Sequence, residues 1–86
     1  MFYVYVIRSK KNHRWYTGYT ADLRKRFKEH NLNLHGFTKN RGPWEIIYYE
    51  ACYNDEDAKL RERYLKSGMG KRYLNTRLKR FLSLTG

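Results

Sequence analysis

The sequence predicts an α+β fold, an α/β sandwich-like arrangement in which a small three-stranded antiparallel sheet is flanked by helices in the order ββαβαα. Two stretches rich in β-branched and aromatic residues, at 2–7 and 44–52, have the composition of strands. Helix-capping residues precede two segments with helical periodicity. The length of 86 residues leaves room for one hydrophobic core, so we expect a single domain over 1–86.

The first two strands are predicted to form an antiparallel hairpin. The segment Phe2–Ile7 is apolar on both of its alternating faces, which is typical of a strand covered on both sides, so we expect it at the centre of the sheet. A polar turn of five residues, 10–14, connects it to a second strand at 15–20. Gly18 weakens this second strand, which indicates close approach by a backbone or a ligand.

A short helix and a long loop are predicted between the hairpin and the third strand. Thr20 is expected to cap a helix that begins at Ala21 and ends at about Asn31. Residues 32–43 contain two glycines and the only proline of the chain, which is typical of a loop. The third strand then follows at 44–52, rich in aromatic residues and isoleucine.

Two more helices are predicted after the third strand. Asn54 precedes three acidic residues, a strong start signal for a helix that ends at about Lys66. The Ser-Gly-Met-Gly sequence at 67–70 is predicted to interrupt the helical structure. A last, basic helix is predicted over about 71–82, with its leucines and phenylalanine on one side and its lysines and arginines on the other.

The net charge of +11 implies a polyanionic partner, either nucleic acid or another anionic surface. The basic excess is concentrated in 1–43, with ten basic residues against two acidic ones, and in 71–80, with five against none. The same charge makes self-association costly, so we expect a monomer. The residues expected to contact nucleic acid are Tyr19, Lys39, Arg41, Lys71 and Arg72.

Cysteine and hydropathy patterns exclude other classes of protein. The single cysteine, Cys52, cannot form an internal disulfide, and the three histidines lack zinc-finger spacing with it. No stretch approaches the length of a membrane span, and the short apolar start of the chain lacks the basic lead of a signal peptide. We therefore expect a cytoplasmic protein with no membrane partner.

Two polar residues of the first predicted helix lie beside its apolar face. At about 100° per residue, Arg26 and His30 border the stripe formed by Leu23 and Phe27, whereas Arg24 lies on the opposite side. Polar residues in such positions find a partner or line a cleft. The alternative is an arginine whose stem lies along apolar surface, next to an ordinary histidine at the boundary of the core.

Glu62 of the second long helix also faces inward, as Arg26 and His30 do in the first helix. One interpretation is a structural salt bridge, with Arg61 or Arg26 as the partner. The other is an oxygen ligand for a divalent cation, since proteins often hold Mg²⁺ through very few carboxylates and leave water and phosphate to complete its shell.

Two short tyrosine motifs lie on the predicted hairpin. The first is Tyr3-Val4-Tyr5 and the second is Tyr16-Thr17-Gly18. Followed in order by Arg26, His30 and Glu62, they resemble the GIY-YIG nuclease superfamily. The chain is similar over nearly its whole length to small stand-alone proteins of the type of the nuclease domain in the bacterial excision-repair subunit UvrC.

The resemblance implies a set of site residues and a cofactor. Arg26 matches the arginine of the family's first helix, His30 matches a histidine one turn later, and Glu62 matches the metal-binding glutamate. The implied cofactor is Mg²⁺ or Mn²⁺, held by Glu62. The implied catalytic residues are Tyr5, Tyr16, Arg26, His30 and Glu62.

The predicted function is a divalent-metal-dependent endonuclease that hydrolyses phosphodiester bonds in DNA, in repair or recombination, with RNA left open as a partner. Tyr19 stands where the repair nuclease domain has a lysine, so the general base is left open among Tyr16, Tyr5 and His30. The alternatives are a non-catalytic basic module that coats nucleic acid and an adaptor for other repair or recombination proteins.

Overall fold

The computed structural model describes residues 1–85 and has the α+β architecture that the sequence predicts. Its three-stranded antiparallel sheet has the order β2-β1-β3, with β1 (Phe2–Ser9) between β2 (Trp15–Thr20) and β3 (Trp44–Cys52). Residues 4–9 of β1 are all buried, which confirms its predicted place at the centre of the sheet.

Helices surround the sheet in the predicted order, with one division. α1 (Leu23–Asn31) connects β2 to β3, and α2 (Asp55–Lys66) follows β3. The last predicted helix, 71–82, is two helices in the structure, α3 (Gly68–Arg77) and α4 (Lys79–Thr85). Within residues 1–85, no helix has both the length and the hydropathy required to cross a bilayer.

The cap of α1 is Asp22, so the prediction of Thr20 as the cap is wrong. The Asp22 carboxylate accepts a hydrogen bond from the Lys25 amide at 3.1 Å, as a helix cap does. Thr20 still belongs to β2, where it is paired with Tyr3 of β1. Its hydroxyl instead accepts from the Asp22 amide at 3.1 Å and closes the turn that precedes the helix.

The predicted interruption at 67–70 is limited to Ser67, so that prediction is also wrong. Ser67 ends α2 and caps α3, with its hydroxyl accepting from the Gly70 amide at 3.2 Å. Gly70 lies inside α3, and a Cβ there would overlap the Tyr64 carbonyl oxygen of α2. This glycine is therefore required for the close packing of two helices rather than for breaking one.

The sheet separates two apolar clusters. Val4 and Val6 of β1 pack on one face against residues of α2 and α3, among them Leu65. Tyr5 and its neighbours pack on the other face with Trp44 and with partly buried side chains of α1. Because side chains alternate along a strand, the Tyr5 phenol is placed on the α1 side of the sheet.

Candidate active site

Tyr5 is fully buried at the centre of the predicted site. Its hydroxyl lies 2.8 Å from Nε2 of His30, the one buried residue of α1. Its partner in the β1–β2 ladder is Gly18, where an added Cβ would lie 2.5 Å from the Tyr5 hydroxyl oxygen. The predicted close approach at Gly18 is thus made by a side chain rather than by a backbone or a ligand, and the glycine leaves the space that the phenol occupies.

A chain of hydrogen bonds fixes the His30 ring. Nδ1 of His30 lies 2.6 Å from the Thr38 hydroxyl oxygen, and this hydroxyl donates to the His35 carbonyl oxygen at 3.3 Å. Which of the two groups donates in the contact between Nδ1 and Thr38 depends on the tautomer of His30. The same tautomer decides whether the Tyr5 hydroxyl donates to Nε2 or accepts from it.

Burial sets the protonation states of this pair. Burial, with His35 and Arg26 nearby, lowers the pKa of His30 to about 4. Burial also raises the pKa of Tyr5, with Tyr16 adding to the shift and Arg26 opposing it. Both groups are therefore neutral near pH 7, as a phenol hydrogen-bonded to an imidazole.

Aromatic rings pack around His30 on the side of β2. The Tyr16 ring lies 5.3 Å from His30, 5.9 Å from His35 and 5.4 Å from Phe37, measured between ring centroids. The rings of His30 and His35 are only 4.6 Å apart. Among residues 1–85, Nδ1 of His35 is a buried side-chain atom without a hydrogen-bond partner.

Arg26 lies at the edge of a cleft next to Tyr5. Its side chain is half-buried, and its Nε lies 3.2 Å from the Glu29 carboxylate one turn away. The cleft has a volume of about 290 Å³ and is also lined by Tyr19 and Lys25. Because Arg26 opposes the rise of the Tyr5 pKa, its charge acts directly on the buried phenol.

Glu62 lies near the same phenol, and its charge adds to the rise of the Tyr5 pKa. Its carboxylate pairs with Lys66 at 3.0 Å, and its side chain is 22% exposed. Arg61 pairs instead with Glu50 at 2.5 Å, and Arg26 pairs with Glu29. Glu62 therefore does form a salt bridge, but the predicted partners, Arg61 and Arg26, are wrong and the partner is Lys66.

The donor set around Glu62 is small. Within residues 1–85 there is no group of three or more His, Cys, Asp or Glu side chains that could hold a metal ion. A divalent cation at this place would have one carboxylate from the chain, which fits Mg²⁺ because that ion keeps several waters and binds substrate phosphate. The Lys66 partner is half-exposed, so a cation would compete with only a solvated ion pair.

The residues predicted to contact nucleic acid lie in several separate parts of the structure. Lys71 lines a groove of about 490 Å³ with Tyr16 and Phe37, and the guanidinium of Arg41 lies 4.9 Å from the Phe37 ring centroid. Tyr19 lies at the Arg26 cleft instead, where its hydroxyl donates to Asp55. Lys39 of the loop and Arg72 of α3 are exposed.

Sequence reasoning missed the contribution of the loop 32–43. This loop supplies His35, Phe37 and Thr38, which contact Tyr16 or His30. A signal was available in its length, since loops of about 12 residues without secondary structure are uncommon and usually functional. The loop also contains a histidine and an aromatic residue among its polar residues.

Comparisons with known proteins agree over most of the chain. A family model described as the GIY-YIG catalytic domain matches residues 1–81. A UPF0213 protein of Clostridium perfringens is 40% identical over 67 residues, covering 77% of this chain and 71% of that protein. A UPF0213 protein of Bacillus subtilis is 42% identical over 65 residues, covering 74% and 65%. The solution NMR structure of a UPF0213 protein from Bacillus halodurans has a TM-score of 0.54 and 34% identity, and the match covers 88% of this chain and 84% of that one.

Proposed function

The chain belongs to the GIY-YIG family, and from this premise we propose that it is a divalent-metal-dependent endonuclease that hydrolyses phosphodiester bonds in DNA. The observation that carries the proposal is the buried Tyr5–His30 hydrogen bond, with Arg26 and Glu62 both near enough to act on the phenol. Perturbed titratable groups collect at catalytic sites. A module that only coats phosphates needs surface charge but no such buried pair.

Arg26 binds the scissile phosphate in the proposed reaction. Its guanidinium is permanently charged and presents several donors in a plane, which suits the non-bridging oxygens of a phosphate. Negative charge increases on these oxygens during the attack, so a fixed cation stabilises the transition state more than the substrate. Its carboxylate partner, Glu29, is one turn along the same helix and holds the guanidinium at the edge of the cleft.

Glu62 is the residue that would hold the metal ion. When bound there, Mg²⁺ or Mn²⁺ supplies charge stabilisation at the scissile phosphate and its leaving oxygen. Glu62 suits this role because it lies near Tyr5 and its ion pair is with a half-exposed lysine. The carboxylate also offsets part of the positive charge that Arg26 brings to the site.

The Tyr5–His30 pair accepts the proton of the attacking water. With its raised pKa, Tyr5 does not form a free phenolate near neutral pH, so it takes up a proton only as its own proton passes to Nε2 of His30. The hydroxide formed attacks phosphorus, the bond from phosphorus to the leaving oxygen breaks, and the leaving oxygen takes up a proton from solvent. Neutral His30 is ready to accept, and its low pKa favours release of the proton to solvent afterwards.

The positive surface supports nucleic acid as the substrate. The 86 residues carry a net charge of +11. Binding of these positive charges to a phosphate backbone releases counter-ions, and this release favours binding. The resemblance to the excision-repair nuclease domain is what connects the proposed reaction to DNA repair or recombination.

The test compares Glu62→Gln with Glu56→Gln, which removes the same charge from the exposed side of α2, where the Glu56 side chain is 75% exposed. We expect wild type and Glu56→Gln to cleave duplex, single-stranded or branched DNA with Mg²⁺ or Mn²⁺ but not with EDTA. Glu62→Gln should abolish cleavage and leave binding intact or slightly tighter, because a repulsion toward phosphate is removed.

Two results would contradict the proposal. Cleavage by Glu62→Gln at the wild-type rate would remove Glu62 from the reaction. No metal-dependent cleavage of any of the three DNA forms by the wild type would favour the non-catalytic binding module. Circular dichroism of both variants shows whether a loss of cleavage reflects a loss of fold.

A further inference from the structure

Thr38 is the one residue of the loop 32–43 whose burial is complete. Threonine in a surface loop is mostly exposed, so complete burial there requires a reason. Its hydroxyl oxygen lies 2.6 Å from Nδ1 of His30, which is also completely buried. A polar pair without access to water depends entirely on its own hydrogen bonds.

The protein holds Thr38 from several directions. Its carbonyl oxygen accepts a hydrogen bond from the indole Nε1 of Trp44 at 3.3 Å, and its hydroxyl donates to the His35 carbonyl oxygen at 3.3 Å. The loop around it is closed by Asn33, whose side-chain oxygen accepts from the Asn40 amide at 3.0 Å. The direction of the Thr38 hydroxyl proton is thus set by the backbone, and a lone pair faces His30.

We propose that Thr38 is a positioning residue that fixes His30 in the tautomer with the proton on Nδ1. In the other tautomer, the Nε2 proton would face the Tyr5 hydroxyl, and Nδ1 would face a lone pair of Thr38. Thr38 could relieve that repulsion only by turning its proton away from the His35 carbonyl.

The tautomer of His30 determines the direction in which the Tyr5 hydroxyl donates its proton. With the lone pair of His30 on Nε2, Tyr5 donates to His30, and its oxygen keeps a lone pair that can accept a proton. The catalytic meaning of this arrangement rests on the proposed function, whereas the tautomer is a property of the free protein. Thr38 acts through His30, which separates it from the Tyr5 hydroxyl.

The test compares Thr38→Val with Thr38→Ser. Valine keeps the branched shape without the hydroxyl, and serine keeps the hydroxyl. Nitrogen-15 NMR of the His30 ring shows which nitrogen carries the proton, without substrate or metal. We expect the Nδ1-protonated form in wild type and Thr38→Ser, and a population of the Nε2-protonated form in Thr38→Val.

Kinetics provide the second measurement. Thr38→Val should lower the single-turnover rate of bound DNA by about 10-fold or more, the usual scale for a residue that orients a site residue, with little change in the affinity for DNA. The pH dependence of that rate should change in Thr38→Val, because a mixture of tautomers changes the proton affinity of Nε2. Thr38→Ser should restore both the rate and the pH profile.

Each outcome decides a separate point. A wild-type spectrum with the proton on Nε2 overturns the inference, even if Thr38→Val does not fold. A wild-type tautomer in folded Thr38→Val overturns it as well, and a changed tautomer with an unchanged rate overturns the catalytic role of the tautomer. If the wild type does not cleave DNA at all, the proposed function fails, but the spectra still decide whether Thr38 sets the tautomer.

Discussion

Arg24 and Arg26 carry the same charge on one short helix but lie in different surroundings. Arg26 is half-buried next to Tyr5, whereas Arg24 is exposed. If the basic surface only coats phosphate, Arg26→Ala and Arg24→Ala should lower DNA affinity similarly. If Arg26 binds the reacting phosphate, Arg26→Ala should lower the single-turnover rate of bound DNA by about 10²-fold, the scale for loss of one transition-state donor.

Arg24→Ala is the matched control for that measurement, and it should change the affinity a few-fold and the rate of bound DNA hardly at all. Both variants must first give the circular dichroism spectrum of the wild type. Equal rates for the two variants would remove Arg26 from the reaction.

Helical periodicity predicted the surroundings of single residues only where the backbone geometry determines them. It placed His30 at the core boundary, and the structure buries this residue completely. It also turned Glu62 inward but missed its partner, because Lys66 lies four residues along the same helix and the predicted partner Arg61 pairs with Glu50 of β3. Thr38 was missed because the path of a loop follows no periodic pattern.

At the scale of elements, α1 and α2 end at the predicted residues, whereas the predicted start is correct for α2 but not for α1 or α3. Asn54 caps α2 as predicted, with its side chain accepting from the Asp57 amide at 3.0 Å. An amide followed by acidic residues acts locally, so its effect can be read from the sequence. The two glycines after Ser67 look alike in sequence, but only Gly70 meets another element. Whether a glycine ends a helix or allows close packing depends on that tertiary contact.

This difference between the two glycines of α3 gives a prediction about stability. Gly70→Ala should destabilise the fold by about 1–3 kcal/mol or more, because the new Cβ overlaps the Tyr64 carbonyl of α2 and the helices must separate. Gly68→Ala should be neutral or stabilising by up to about 1 kcal/mol, since a Cβ there meets nothing within 4 Å and alanine favours the helix.

Urea unfolding of wild type and the two glycine variants measures both effects. Gly68→Ala controls for the helix propensity gained by either substitution, so the difference between the variants isolates the contact between α2 and α3. Equal unfolding free energies for the two variants would show that the helices are not packed as closely as the structure has them.

At the scale of the whole molecule, size and charge together determine how DNA is bound. The molecule measures 33 × 31 × 18 Å, so its longest dimension corresponds to about one turn of duplex DNA. Only a few phosphates can then be contacted at once, and they must be contacted by the few basic groups on one face. The charge excess was visible in the sequence, but the face that carries it depends on how the helices pack.

The last prediction concerns the dependence of binding on salt. DNA affinity should fall steeply as salt increases and show little base preference, because backbone contacts release counter-ions. Replacing Lys71 and Arg72 by Ala should reduce the slope of log K against log salt by about 2, roughly 1 for each phosphate contact. Lys71 lines the groove next to Tyr16, and Arg72 is exposed beside it on α3.

Replacing Lys79 and Arg80, both exposed on α4, removes the same charge elsewhere and should change the slope less. Fluorescence anisotropy with a labelled duplex at several salt concentrations measures all three slopes. Equal slopes for the two double variants would mean that DNA affinity depends on the net charge of the protein rather than on the groove beside Tyr16. An affinity independent of salt would exclude binding to the DNA backbone.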